Sequence, residues 1–361
     1  MTTNITFIHT GDLHLGLKFD NLSFSKEKAI ARRSELWQTF ESIVSYAIEK
    51  KTDFLFLAGD LFERDYFTLG DMKRLASILA GAADVNVLIS AGNHDSFYGN
   101  SLYNKVQWSD NVSIFADQGL EKKYYEKEKT MVYGYSWNKL EFKVNNLFKN
   151  IDLDPNYRNI LLLHGDVNSR SNYLPLSLRE LESLNMDYVA LGHIHKPNIF
   201  TEKIAYCGCP EPLDFSEDGR RGFIEGRIDE NGTDIELIYH NKRSFHNLEI
   251  EIHGEDSYLD IVNKIKDKKS NENDFYRFKI TGYYDKDMRI DGIINDVKDY
   301  FYYVEIIDES IPDYDLELLQ MENRGNIIDK YIESMKNKGL EKEIVRDGLY
   351  RGLKVLLEGS R

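Results

Sequence analysis

The chain has 361 residues, 42% of them hydrophobic and 30% charged, which suits one domain of roughly 200–250 residues with smaller ones beside it and excludes a disordered chain. No apolar run approaches the ~20 residues needed to cross a bilayer, the N-terminus carries no signal-peptide pattern, and Cys207 and Cys209 are too few for a disulfide framework. A cytoplasmic protein without membrane contact is expected. The formal net charge of −15 argues against a tight, unaided grip on nucleic acid, since phosphate contact draws on Lys and Arg. Metal ions or a partner subunit would have to offset it.

In chain order, short apolar runs at 5–9, 53–58, 85–90, 159–163 and 188–191 read as strands covered on both faces. Segment 27–50 has helical spacing, with Leu36, Phe40, Ile43, Val44 and Ala47 on one side, and 69–80 repeats it with Met72, Leu75, Ile78 and Leu79. Strands alternating with helices predict a layered α/β fold. Runs at 204–207, 222–229 and 234–240 predict a second sheet that completes a catalytic domain over 1–243. From 244 to 307, strands at 247–252, 275–280 and 303–307 alternate with helices at 258–268 and 289–300, a small α/β domain. An acidic, loop-like linker over 308–315, with Pro312, leads to a helical tail over 316–361 that is broken at Asn337-Lys338-Gly339.

Each of the five leading strands runs into potential metal ligands: Asp12 and His14, then Asp60, then Asn93-His94-Asp95, then His164, then His193 and His195. Loops beyond the carboxyl ends of strands in an open α/β sheet converge on one crevice. Taken singly, each cluster reads as an ordinary turn, cap or hydrogen-bonded histidine. Five in order, each ending a strand, read as one metal centre. Imidazole with carboxylate and no thiolate suits manganese, iron or zinc. The ligand count suits two ions with Asp60 shared between them. Alternate residues of an extended segment point the same way, so His193 and His195 are expected on one side.

In this order, Asp-x-His, Gly-Asp, Gly-Asn-His-Asp, a single His and Gly-His-x-His resemble the calcineurin-like metallophosphoesterase superfamily over about residues 5–240. Within it the chain is similar to the SbcD branch of DNA-repair nucleases. The run from Thr10 to Gly16, the Gly59-Asp60-Leu61-Phe62 motif and the stretch from Tyr206 to Glu211, continuing to Gly222-Phe223, carry that likeness. The resemblance implies two central sheets flanked by helices, a small α/β capping domain facing DNA, and a helical tail that binds an SbcC-type ATPase. It further implies a homodimer formed through segments 69–80 and 101–108. It places Asp12, His14, Asp60 and His195 on one ion and Asp60, Asn93, His164 and His193 on the other. The ions would be Mn2+, with Fe2+, Zn2+ or Mg2+ as alternatives. His94 would protonate the departing 3′-oxygen or stabilise its charge, with Asp95 orienting it, in an exonuclease or endonuclease acting on DNA.

Two positions depart from the pattern. Glu63 stands where some members carry a further histidine, which bears on exonuclease behaviour, and Cys209 where members usually have Ser or Thr. A metal pair of Cys207 and Cys209 is the minor reading, because the ligand set is complete without them. Lys18, Arg170 and Lys196 lie beside ligand loops as candidate phosphate contacts, with Arg220 and Arg221 as a further pair. The alternative function is a phosphatase or a cyclic-nucleotide or small-molecule phosphodiesterase of the same superfamily, which shares the five motifs. A scaffold that has lost catalysis is the reading from another class.

Overall fold

The computed structural model describes residues 4–20, 23–117, 119–139, 147–149, 151–168, 170–290 and 292–358. The first three residues, and the last three of the expected helical tail, lie outside that set. The chain divides into two compact units, one ending at Ser244 and one beginning at Phe245.

In chain order the first unit reads β1 (Ile5–Thr10), α1 (Lys26–Lys50), β2 (Phe54–Leu57), α2 (Leu69–Ala80), β3 (Asn86–Ile89), β4 (Val112–Ile114), β5 (Glu121–Tyr125), β6 (Thr130–Tyr135), β7 (Arg158–His164), α3 (Leu178–Ser183), β8 (Tyr188–Gly192), β9 (Asn198–Thr201), β10 (Ile204–Tyr206), β11 (Gly222–Asp229) and β12 (Gly232–Tyr239). Two six-stranded mixed sheets result, ordered β12-β11-β1-β2-β3-β4 and β5-β6-β7-β8-β10-β9. Strand β2 shows how the layers are made. Phe54 and Phe56 join Val132, Ile160, Leu162 and Ala190 in an apolar layer between the sheets. Leu55 and Leu57, one residue out of phase, pack instead with Leu36, Phe40, Ile43, Met72 and Leu75 of the covering helices. Both faces are therefore buried, which is why the strands lack polar alternation.

Strand direction and register place the site. Strands β1, β2 and β3 are parallel, with Thr10 level with Leu57 and Leu57 level with Ile89. Strands β7 and β8 are also parallel, with His164 level with Gly192. Each set thus releases its loops at a common height along its own sheet. The segments β10 and β11 extend different sheets rather than forming a new one with β12, because β10 pairs with β8 while β11 pairs antiparallel with β1.

In the second unit, β13 (Phe245–Ile252), α4 (Tyr258–Asp267), β14 (Phe275–Asp285), α5 (Ile293–Val297) and β15 (Tyr303–Asp308) build a parallel sheet with β14 in the centre. Two expectations need correction. The stretch 308–315 is not a free linker: it contains β16 (Ile311–Asp313), paired with Tyr283–Asp285 at the far end of β14. Gly282, at φ +93, is the reason β14 runs past residue 280, since it takes a backbone conformation that side chains disfavour and lets the strand continue to a new partner. The expected helix over 289–300 is shorter, α5 followed by a single 3-10 turn over Lys298–Tyr300. The tail holds α6 (Leu316–Glu322), α7 (Ile327–Lys336) and α8 (Glu343–Glu358), interrupted at Gly325 (φ +83) as well as at the expected Gly339 (φ +94). Ile328 and Ile332 pack on Leu349 and Leu353, and Tyr350 of α8 stacks on Tyr314, centroids 6.3 Å apart. No helix among the described residues is long and apolar enough to cross a membrane.

One polar cluster ties α1 to the loop behind the last ligands. The fully buried Arg32 donates to Glu35, to Glu211 and to the Pro212 carbonyl, while Thr39 and the Lys242 backbone also serve Glu211. Removing one partner strands the others as buried, unmatched charge. Arg32→Met should therefore lower the unfolding free energy by about 3–5 kcal/mol, read as a shifted midpoint in denaturant titration. A shift under ~1 kcal/mol would mean that Glu211 takes a proton or finds other partners.

Candidate metal centre

The loop after β1 and the loop after β2 run side by side, with Asp12 N bonded to Gly59 O (2.9 Å), His14 N to Asp60 O (3.0 Å) and Leu15 N to Leu61 O (3.0 Å). That ladder puts Asp12, His14 and Asp60 in one place. It also needs unusual backbone: Asp12, His14 and Asp60 have φ of 48°, 45° and 50°, and His193 has φ of 102°. Such conformations cost of order 1–3 kcal/mol each and persist where the surroundings over-determine them. The strain falls on the residues singled out from the sequence as ligands. The backbone at His193 is not the extended segment expected, and His193 falls with Asp60 and His164 while His195 falls with Asp12 and His14.

Among the described residues four sets of ligand-type atoms gather: Asp12 with His14 and His195, Asp60 with His164 and His193, and, adjoining the first, His14 with Glu63 and His94 and His195 with Cys209 and Glu217. In the second set His164 Nδ1 lies 2.8 Å from the Ala58 carbonyl and so carries its proton there. Nε2 then faces Asn93 Oδ1 at 3.1 Å and Asp60 Oδ2 at 3.2 Å. In the first set His14 Nδ1 donates to Glu63 (2.6 Å) and His195 Nδ1 to Glu217. Their Nε2 atoms then point at each other 3.0 Å apart. Lone pairs aimed at lone pairs repel unless a cation or protons lie among them. The outer hydrogen bonds that fix these tautomers are those that metal-binding histidines use. The residues present therefore fit divalent metal, with Asp12 and Asp60 as anchoring carboxylates.

Charge behaviour follows from the same crowding. Burial opposes charge on His164 and His195, but Asp60 beside the first and Glu217 beside the second prevail and raise both to about 9. Burial and the neighbouring His164 lower His193 to about 4. Burial works against Asp60 as well, yet His164 holds its carboxyl far below the ordinary range.

His94 stands beside this nest. Its backbone N–H donates to Asp60 Oδ1 (2.8 Å), its ring lies edge-on to His14 at 5.0 Å, and 43% of its side chain remains exposed. The expectation that Asp95 orients His94 is corrected. The buried Asp95 carboxylate instead accepts from the backbone N–H groups of Gly92, Asp60 and Leu61 and from the Tyr103 hydroxyl. It fixes the loops, not the imidazole. Glu63 does what was expected of Asp95, with its second oxygen 3.0 Å from His94 Nδ1. That bond, against burial, raises His94 to about 9.

Sequence reasoning missed Glu63 and Glu217 as partners. The first stood out only as a departure from a pattern, and the second lies in a loop with no motif. Cys209 donates to Glu217, behind His195, while Cys207 turns to the Leu191 carbonyl, so the two thiols do not form a pair facing the nest. Lys18 is exposed and lies over the Tyr66 ring, 4.1 Å from its centre, and Arg170 and Lys196 are exposed beside the ligand loops. Arg220 lies over Tyr239, whereas Arg221 is buried on the Asp218 and Arg220 carbonyls and is not placed to meet a phosphate.

A layered α/β fold with a carboxylate–imidazole nest at its strand ends defines a metallophosphoesterase. Residues 5–197, more than half of the chain, match the calcineurin-like phosphoesterases, and the chain belongs to that family. It is 30% identical over 242 residues to the uncharacterized metallophosphoesterase YhaO of Bacillus subtilis (strain 168), covering 62% of this chain and 57% of that protein. It is 24% identical over 274 residues to the DNA double-strand break repair protein Mre11 of Haloferax volcanii, covering 72% and 58%. For the Mre11 protein of Methanosarcina acetivorans the values are 27% over 278 residues, covering 71% and 42%. The chain spans about half the length of the curated relatives it matches.

Metal uptake should be pH-dependent. Because His164 and His195 sit at about 9, they carry protons at neutral pH that an incoming cation must displace. Manganese or zinc affinity should rise as pH increases from 6.5 toward 9, with proton release on binding, as read by calorimetry in buffers of different ionisation enthalpy. Affinity independent of pH would contradict this arrangement.

Proposed function

We propose that the chain is a nuclease that hydrolyses phosphodiester bonds in DNA, using two divalent ions of which manganese is the first choice. The observation that supports it most directly is an exposed imidazole, His94, tethered by Glu63 at the edge of an acceptor-lined nest. Asp12, His14 and His195 would hold one ion and Asn93, His164 and His193 the other, with Asp60 shared. Bound there, the ions would supply positive charge for the phosphoryl oxygens and make water acidic enough to attack at neutral pH. The remaining work belongs to side chains. His94, its Nδ1 proton held by Glu63, presents Nε2 to the departing 3′-oxygen and gives it a proton. Asp95 keeps the loops bearing Asp60 and Gly92 in place through backbone N–H groups.

The choice of DNA is supported by the Mre11 likeness and by the second unit, which lies beyond the matched family region. Partner binding is proposed for the tail, where an apolar hollow of about 520 Å³ is lined by Ile327, Tyr331, Val355 and Leu356. Ile327 and Val355 are each 69% exposed. A helix of an SbcC-type ATPase is the proposed occupant. A hollow of about 630 Å³ beside α2, lined in part by Lys73, Ala76 and Trp108, is where a second copy would meet the first.

The test is one manganese assay over linear duplex DNA, single-stranded DNA, a small phosphodiester and a phosphomonoester. Cleavage of DNA should lead, and preference for the monoester would replace the nuclease with a phosphatase. His94→Ser should retain metal by elemental analysis and lose roughly 10²–10⁴-fold in turnover. Near-normal turnover in that variant would remove His94 from the mechanism.

A further inference from the structure

We infer that His195, Cys209 and Glu217 form a separate metal site on the far side of the His195 ring. Its occupant is zinc or a similarly thiophilic divalent cation, not one of the ions assigned to the nest. His195 Nδ1, Cys209 Sγ and a Glu217 carboxylate oxygen all lie within 4.8 Å of one another. Glu217 stands in the middle, one oxygen against His195 Nδ1 and the other 3.1 Å from Cys209 Sγ. The backbone holds that carboxylate in place, because the Leu213 N–H donates to the same oxygen as the thiol at 2.8 Å. Cys209 N in turn donates to the His195 carbonyl at 3.0 Å, so thiol and imidazole sit on segments fastened to each other. The inference stands on these three side chains and not on the nuclease reading.

A turn between the two cysteines makes the thiol available. In an extended strand Cys207 and Cys209 would face the same way. Gly208 lies between them at φ +72, and a Cβ there would come within 2.7 Å of the His195 carbonyl. With the chain turned at that glycine, Cys207 faces the Leu191 carbonyl in the layer between the sheets, and Cys209 faces Glu217. Cys209 is fully buried, while the side chains of Glu217 and His195 are 13% and 27% exposed, which leaves the cluster open to a cation from one side. Donor chemistry selects the occupant. Thiolate beside imidazole draws zinc or cadmium, whereas magnesium and manganese favour oxygen. Three protein ligands are one short of a closed structural zinc site, so the fourth position falls to water and the ion is exchangeable. Uptake releases the thiol proton and the proton between His195 and Glu217 to solvent. The cation then takes over from a hydrogen bond in fixing the His195 ring from behind.

The experiment titrates cadmium into the full chain and follows the ultraviolet charge-transfer band of a cadmium–thiolate bond, to which the sulfur-free nest contributes nothing. The native chain should develop the band up to one cadmium per chain. Zinc should abolish it by displacement, and excess magnesium should not. Cys209→Ser should lose the band, Cys207→Ala should keep it, and Glu217→Gln should weaken cadmium binding by about tenfold or more. No band in the native chain overturns the inference, whatever the variants do. So does a band that survives Cys209→Ser, one that a folded Cys207→Ala variant lacks, or one that zinc does not displace.

Discussion

The crowding of ring nitrogens and carboxylates around a few exchangeable protons is the constraint on which this site depends. His14 and His195 bring their Nε2 atoms to 3.0 Å, and His164 aims its own at the oxygens of Asn93 and Asp60. Protons on His164 and His195 satisfy these contacts at neutral pH, and a cation would have to take their place. Each histidine is held in its direction by a bond on its far side: Glu63 behind His14, Glu217 behind His195 and the Ala58 carbonyl behind His164. A cation in the nest would displace the protons that these groups share. This is why the pocket attracts protons strongly, and why protons and metal compete for it.

The two-sheet core is what can bear the strain of the ligand loops. Left-handed backbone at Asp12, His14 and Asp60 would unwind in an isolated loop. Here it begins immediately after strands whose side chains are buried on both faces. The close approach of Gly92 shows how little slack remains: a methyl group there would collide with Asp60 Oδ1. Asp95 adds a polar brace, accepting three backbone N–H groups and the Tyr103 hydroxyl from a fully buried position. Burial, then Asp60, raises its carboxyl to about 6, so the brace itself bears part of the field it organises.

The parts of this design that depend on local sequence could be read before the structure was known. A buried strand needs an apolar run and its end needs a turn, so strands, their order and the ligands just beyond them are written within a few residues of each other. The layered α/β arrangement follows from that alternation. Groups whose role is set across the fold left no such trace. Glu63 lies 49 positions from His14 and 31 from His94, and Glu217 22 from His195, with no periodicity to announce the meetings. Asp95 misled for the converse reason: adjacency in sequence suggested that it serves His94, but successive residues of a tight loop point in different directions. The continuation of β14 past Gly282 was hidden because the second pairing partner, β16, lies in a stretch whose acidic residues and proline read as loop.

The acidic character of the chain belongs to the same logic. Forty-six basic residues against sixty-one acidic ones would repel a polyanion if charge were spread evenly, yet the reactive pocket is the place where anionic ligands are already neutralised by protons or await cations. Global charge and local field can therefore have opposite signs. Beside the ligands, Lys18 and the half-buried Arg64 sit over tyrosines, while Lys196 and Arg170 stand exposed next to the ligand loops. An anion reaching the nest would therefore meet a local field set by the ligands and any bound cation rather than by the net charge.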